Sequence, residues 1–278
     1  MNKVWFVTGA SKGLGLALVK KLLAQGYRVA ATSRNKEGFD QAVDASSDEF
    51  LPLNMSLTDP QDVQRAVSDA VSHFGTIDVI VNNAGYASMG AVEELNAEEV
   101  HRNFDVNVYG LLHVVRSALP VMREQGSGHI INISSLGGFV GNFPGFGVYC
   151  ATKFAVNGLT EALAEEVKPF GVKTTLIAPG YFRTEFLSQE SLDRSDHRLD
   201  VYDNVREMQR LHEEDLHGNQ PGDPIKAAAA IIETTKMPEP PLYLFLGKDA
   251  YQYAEQKIDS LKETMAAHRE LATSTDFA

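Results

Sequence analysis

Short runs of consecutive apolar residues alternate along the chain with longer stretches in which apolar positions recur every three or four residues. The runs are KVWFVTGA (3–10), YRVAATSR (27–34), FLPLNM (50–55), DVIVNNAG (78–85), GHIINISS (128–135), VKTTLIAPG (172–180) and PLYLFLG (241–247). Apolar side chains at adjacent rather than alternate positions suit strands covered on both faces, as in a parallel sheet. The intervening stretches read as helices. Residues 14–26 end in Gly26, a helix-stop signal. Residues 59–75 begin with Asp59 as cap and Pro60 at the first helical position. Residues 96–126 open with Asn96 as cap, and Pro120 is expected to kink or break this long helix. A further helix is expected over 149–171.

This alternation predicts one α/β domain over residues 1–278. It would be a doubly wound, Rossmann-type parallel sheet of about seven strands between two helical layers, with right-handed crossovers. One segment breaks the rhythm. Residues 185–221 are polar and charged and follow the sixth run. A long insertion at the carboxyl end of a strand is expected to form a substrate loop or lid, the alternative being a solvated surface excursion. Residues 249–268 carry Tyr253, Ile258, Leu261 and Met265 at helical spacing, which predicts a docked or interface helix followed by a frayed end.

Composition narrows the function. With 44 % hydrophobic and 22 % charged residues the chain is ordinary for a globular protein. The formal net charge of −12 makes nucleic acid and anionic membrane poor partners. No apolar run is long enough to cross a bilayer, and the first residues lead into a strand and a glycine turn rather than a signal peptide, so a cytoplasmic location is expected. Cys150 is the single cysteine, so there is no intrachain disulfide.

The first candidate chemistry lies in VTGASKGLGLAL (7–18), between the first strand and the first helix. Gly9, Gly13 and Gly15 allow a tight turn and close approach of backbone to a phosphate, and the helix start offers unpaired N–H groups. The second strand ends in Ser33 and Arg34, where an acidic residue would otherwise hold an adenosine ribose. Arg34, with Lys12 in the glycine turn, suits an added phosphate and so NADP(H) over NAD(H).

The second candidate is Tyr149 and Lys153, one helical turn apart and so on one face. A cation roughly 5 Å from a phenol, at an effective dielectric of about 20, stabilises the phenolate by about 3 kcal/mol. That would lower the phenol's pKa by about two units and make it a usable proton donor and acceptor.

With NNAG (82–85), NISS (132–135), YCATK (149–153), and Pro179-Gly180 with Thr184, these motifs resemble the short-chain dehydrogenase/reductase family, in its single-domain branch. The resemblance is strong over about residues 3–184. It implies Tyr149 as catalytic acid/base and Lys153 as the group that tunes it and holds the nicotinamide ribose. Ser135 would hydrogen-bond the substrate, and Asn107 would hold a water in a proton relay. It implies a cofactor site built from Gly9, Ser11, Lys12, Gly13, Leu14, Gly15, Ser33, Arg34, Asn54, Met55, Asn83, Ala84, Gly85, Asn107, Tyr149, Lys153, Pro179, Gly180, Phe182 and Thr184. The implied activity is an NADPH-dependent carbonyl reductase, or the reverse alcohol dehydrogenase, on a moderately apolar ketone or aldehyde. The implied assembly is a homodimer or homotetramer. A cofactor-sensing or scaffolding protein of the same fold is the alternative.

Three departures from the family pattern stand out. Asn54-Met55 replace a usual Asp-Val, Phe182 replaces a smaller aliphatic, and the spacing from Ser135 to Tyr149 is one residue longer than usual, which leaves Ser134 as an alternative to Ser135. Tyr86, Phe139, Phe143, Phe146 and Tyr181 flank the motifs and are expected either to line an apolar pocket or simply to pack. The stretch HEED (212–215) reads as a solvated helix face, and no metal site is expected because no histidine has a partner at ligand spacing. Cys150 reads as a packing residue.

Overall fold

Strand β1 (Val4–Val7) is buried at every position and forms the spine of the molecule. After it, in chain order, come β2 (Arg28–Ser33), β3 (Phe50–Asn54), β4 (Val79–Asn82), β5 (Ala87–Met89), β6 (Gly128–Ile133), β7 (Val172–Pro179), β8 (Leu192–Arg194) and β9 (Tyr243–Leu246). The helices are α1 (Gly13–Ala24), α2 (Glu37–Asp40), α3 (Pro60–Phe74), α4 (Ala97–Phe104), α5 (Gly110–Gln125), α6 (Gly147–Val167), α7 (Asp203–Arg210), α8 (Pro224–Thr234), α9 (Lys248–Ala267) and α10 (Arg269–Thr273). This is a computed structural model, and it describes residues 3–35, 37–40, 42–43, 48–188 and 191–277. The outermost residues of the expected 1–278 domain, and residues 189–190 of the 185–221 segment, lie outside the described residues.

The main sheet has seven strands in the order β3-β2-β1-β4-β6-β7-β9, paired in parallel throughout. Strand order therefore reverses between β1 and β4, and a crevice opens at their carboxyl ends. Alternation along β1 divides the core. Val4 and Phe6 face α3, α5 and α6, whereas Trp5 and Val7 face α1, α2 and α8. Among the described residues no helix is long and apolar enough to cross a membrane.

The structure differs from the sequence expectation along the long helix, adds a helix, and shows how far the C-terminal helix docks. The helix over 96–126 does not break at Pro120, which lies within α5 on its exposed side. The carbonyl that Pro120 cannot bond belongs to exposed Arg116, on the solvent side of the helix, where an unpaired carbonyl costs little. The irregularity falls instead at Asp105–Tyr109, a π turn between α4 and α5. Helix α8 is absent from the expected elements, although Asp223-Pro224 repeats the start signal of Asp59-Pro60, and both aspartates cap their helices. At the C-terminus, α9 docks only through its first turns, where Ala250 and Ala254 are buried and Tyr253 meets Phe143 edge-on. Ile258, Leu261 and Met265 are exposed, and helix continues to Thr273.

The 185–221 segment is built onto the body. Its β8 pairs with β5 in a small parallel sheet. The buried Glu94 carboxylate accepts bonds from Ala91 N (2.7 Å), Leu199 N (2.8 Å) and Arg206 Nη2 (2.5 Å). Helix α7, which carries Arg206, is thereby held against the body of the molecule, because a buried charge is tolerated only when its hydrogen bonds are completed.

His129, at the far end of β6 from the crevice, shares a 2.9 Å bond with Thr175 Oγ1 and is buried. Burial, with help from Lys3 and Lys173, pulls its pKa down to about 4. The unfolded chain then binds more protons than the folded one between that value and the ordinary value of about 6.5, so stability rises with pH in this window and is lost as pH falls through it. At pH 5 the loss is about 2 kcal/mol. His129→Gln is expected to flatten the pH dependence of denaturant unfolding between pH 4 and 6.5. Parallel wild-type and variant curves would disprove it.

Candidate active site

The carboxyl ends of β1, β4, β6 and β7 border one cleft of about 900 Å³. Its polar scaffolding is made by motif residues. Thr8 Oγ1 accepts from Asn83 N and Ala84 N, each at 3.1 Å. The Asn83 amide donates to the carbonyls of Thr8 and Gly9, each at 3.0 Å. Asn82 donates to Asn132, and Asn132 donates to Thr160 on α6, each at 2.9 Å. Adjacent parallel strands are thus locked at the end where the cleft lies.

At one end of the cleft is the glycine turn. A Cβ on Gly9, whose φ is +63°, would lie 2.6 Å from Ala84 Cα. A Cβ on Gly15 would meet the Asn83 amide at 2.5 Å and Gly9 O at 2.6 Å. Only glycine lets α1 approach the sheet this closely. Lys12 stands at the N-cap of α1, and no side chain caps that helix, so its first N–H groups are available to an anion. Thr184 faces Gly13, its Cβ 3.6 Å from where a Cβ would stand, and Thr184 Oγ1 accepts from Phe186 N. Farther along lie Ser33, exposed Arg34 and buried Met55. Lys12 Nζ donates to Ser191 Oγ at 2.7 Å, tying the turn to the 185–221 segment, which forms a cap on this side of the cleft.

At the other end Tyr149, Lys153 and Ser135 come together. Gly147 starts α6, so Tyr149 and Lys153 lie in its opening turns and both are buried. Lys153 Nζ donates to Ile133 O at 2.9 Å and lies 5.9 Å from the Tyr149 ring centre. Ser135 Oγ and Tyr149 Cε1 lie together beside Gly137, 3.4 and 3.5 Å from where a Cβ on that glycine would stand. Ser134 instead turns into the core and donates to Asn157. The geometry therefore favours Ser135 over Ser134 as the hydroxyl that meets Tyr149.

The electrostatics differ from the sequence expectation of a lowered phenol pKa. Burial raises the Tyr149 pKa above its ordinary value; the neighbouring Ser135 hydroxyl opposes this, and Cys150 and Tyr181 add to it. Burial lowers the Lys153 pKa to about 8. Attraction to a nearby cation alone would lower the phenol's pKa, but the cost of taking the phenolate out of water is the larger effect here. At neutral pH Tyr149 is a neutral O–H, the form that donates a proton. The Cys150 thiol is also raised by burial, to about 11, and is not a reactive thiolate.

Asn107 lies in the π turn, behind Gly85. Its amide donates to Tyr86 O (2.9 Å) and Thr152 Oγ1 (3.0 Å), and its Oδ1 accepts from Tyr86 N (3.1 Å). Asn107 Oδ1 and Lys153 Nζ flank the place where a Gly85 Cβ would stand, at 3.0 and 3.4 Å. The π turn aims Asn107 at this point, a use for which such turns recur.

Ser11, Lys12, Leu14, Asn83, Ala84, Gly85, Pro179, Gly180, Phe182 and Thr184 border the cleft along with the residues above. Asn54, Gly15 and Asn107 do not border it directly. Gly15 and Asn107 act through the packing just described. Tyr86, Phe143, Phe146 and Tyr181 border the cleft, whereas Phe139 packs on Phe245 at the sheet edge. His212 is buried beside Phe146 and Tyr181, not on a solvated face. Nothing in its local sequence signals this, since the cap's path decides it. Phe186, Leu187 and Leu192 also come from the cap and complete an apolar wall. Among the described residues no three His, Cys, Asp or Glu side chains gather at a metal-binding distance.

The glycine-lined turn, the uncapped helix start and the deep Tyr149 end together fit an extended dinucleotide. Comparison with known proteins agrees. The family model for short chain dehydrogenases matches residues 3–195. The oxidoreductase BOA17 of Botryotinia fuckeliana is 36 % identical over 99 % of this chain and 100 % of its own. The 3-ketodihydrosphingosine reductase of Bacteroides thetaiotaomicron is 34 % identical over 88 % of each chain. The crystal structure of a short-chain dehydrogenase from Streptomyces avermitilis superposes with a TM-score of 0.90 at 37 % identity, covering 99 % of this chain and 100 % of that one. More distant neighbours, each 26 % identical, include a 3-ketoacyl-(acyl-carrier-protein) reductase from Brucella melitensis with NADH (TM-score 0.72) and a serine dehydrogenase with NADP+ (TM-score 0.74). Fold, motif geometry and relatives converge, and the chain belongs to the short-chain dehydrogenase family of oxidoreductases that use a nicotinamide cofactor.

Proposed function

We propose that the protein is an NADPH-dependent carbonyl reductase, or in reverse a secondary alcohol dehydrogenase, for a moderately apolar ketone or aldehyde. One observation carries this reading. A buried, neutral phenol beside a serine hydroxyl sits at the apolar end of a cleft whose opposite end presents an uncapped helix start. The cofactor supplies the hydride when bound. Tyr149 then donates its proton to the carbonyl oxygen as negative charge develops there, and Ser135 holds that oxygen in line. Lys153, donating to Ile133 O, stabilises the tyrosinate left behind. Arg34 and Lys12 support NADP(H), and a relative named for reducing a ketone supports the reductive direction. The exposed Ile258, Leu261 and Met265 support self-association as a homodimer or homotetramer.

Hydride transfer with a panel of ketones, followed at the nicotinamide absorbance, tests the chemistry. Tyr149→Phe is expected to lower kcat by roughly 10²- to 10⁴-fold. A separate NADPH titration distinguishes lost chemistry from lost cofactor. Unchanged turnover in this variant, or NADPH binding with no turnover of any carbonyl by the wild type, would refute the reading, and the second result would point to a cofactor sensor.

Cofactor choice is tested by Arg34→Ser combined with Lys12→Ser. NADPH affinity is expected to fall about tenfold or more while NADH affinity changes little, because charge-assisted contacts to a phosphate are lost. An equal loss for both cofactors would show that the two cations do not select the phosphate.

A further inference from the structure

The apolar end of the cleft contains a polar pair that the proposed chemistry does not use. Tyr181 follows β7 on the body, and His212 belongs to the π turn Leu211–Leu216 that continues α7 in the cap. The Tyr181 hydroxyl lies 3.1 Å from His212 Nε2, and His212 Nδ1 lies 2.9 Å from the Met208 carbonyl oxygen. A carbonyl oxygen only accepts, so Nδ1 carries the ring hydrogen. In the neutral ring Nε2 is then bare and accepts the hydrogen of Tyr181. Burial favours that neutral ring by lowering the His212 pKa, against the opposing Met208 bond and Glu213.

Packing holds the pair in place. The His212 ring lies 4.8 Å from Phe146 and 5.5 Å from Tyr181, and Phe146 meets Tyr149 at 6.4 Å. Tyr181 N donates to Asp249 Oδ2 at 2.7 Å, which fixes its backbone. The Tyr181 hydroxyl hydrogen is therefore committed to His212, while Tyr181 itself borders the cleft. A phenolic oxygen whose hydrogen is engaged can still accept but can no longer donate.

Building on the proposed reading of Tyr149, we infer that Tyr181, oriented by His212, is a second recognition point in the substrate site. It selects carbonyl compounds that carry a separate hydrogen-bond donor, such as a hydroxyl or ammonium, away from the reacting carbon. An ether or ester oxygen at the same place would meet another acceptor and be rejected. Because His212 comes from the cap and Tyr181 from the body, the contact between cap and body sets the polarity of this point.

The test uses the cofactor-loaded protein and matched aliphatic ketones of several chain lengths. Each pair consists of a hydroxy ketone and its methyl ether, which keeps the oxygen and loses the donor. Calorimetric binding to the NADP+-loaded protein reads recognition without chemistry, and kcat and KM with NADPH read turnover. At the best chain length the wild type is expected to prefer the hydroxyl compound about tenfold, in binding and in KM rather than kcat. Tyr181→Phe keeps the ring and is expected to bring that ratio close to one, and His212→Gln is expected to lower it. A wild-type ratio near one at every length, or a ratio that survives Tyr181→Phe, overturns the inference. Discrimination in binding without turnover would uphold the anchor and defeat the reductase reading, so the two failures are separable.

Discussion

Removal of water from Tyr149 and Lys153 is the constraint on which the site depends. Burial holds the phenol in its protonated form and brings the lysine's pKa down to about 8, so neither group behaves as it would on a surface. Desolvation of this kind disfavours the charged form of each group, and close proximity alone does not reverse it. Every surrounding element contributes to it. Helix α6 starts against the end of β6, Gly137 and Gly138 permit close packing there, and the cap closes the remaining side with Phe186 and Leu192.

The same burial explains why so much of the scaffolding is polar. Strand ends in a parallel sheet leave backbone groups that need partners, and at this end water cannot be relied on to supply them. Thr8, Asn82, Asn83, Asn132 and Thr160 satisfy those groups and each other. The network locks together the strand ends that carry the glycine turn and the Tyr149 end, and both border one continuous cleft.

The cap follows a similar logic. A charged insertion of this length would ordinarily wander over the surface, but Glu94 collects two backbone N–H groups and the Arg206 guanidinium into one buried junction. Specific hydrogen bonds thus do for the cap what apolar area does for the sheet. The apolar residues that the cap contributes can then face the cleft instead of a core of their own.

Much of this was legible in the chain itself. Runs of adjacent apolar residues located the strands of the main sheet, because a doubly covered strand has no polar face to encode. Glycine at positions 9, 13 and 15, and a tyrosine and lysine one turn apart, marked both ends of the cleft, because such local geometry admits few residue types. Tertiary structure alone decided the rest. A π turn at Asp105–Tyr109, not a break at Pro120, interrupts that helix, and it carries Asn107 to partners on other elements, Tyr86 and Thr152. It is the path of the cap that brings His212 to Tyr181, across a separation that no spacing rule spans. The direction of the Tyr149 shift was likewise beyond the sequence, since charge spacing can be read along a helix whereas desolvation depends on everything packed around it.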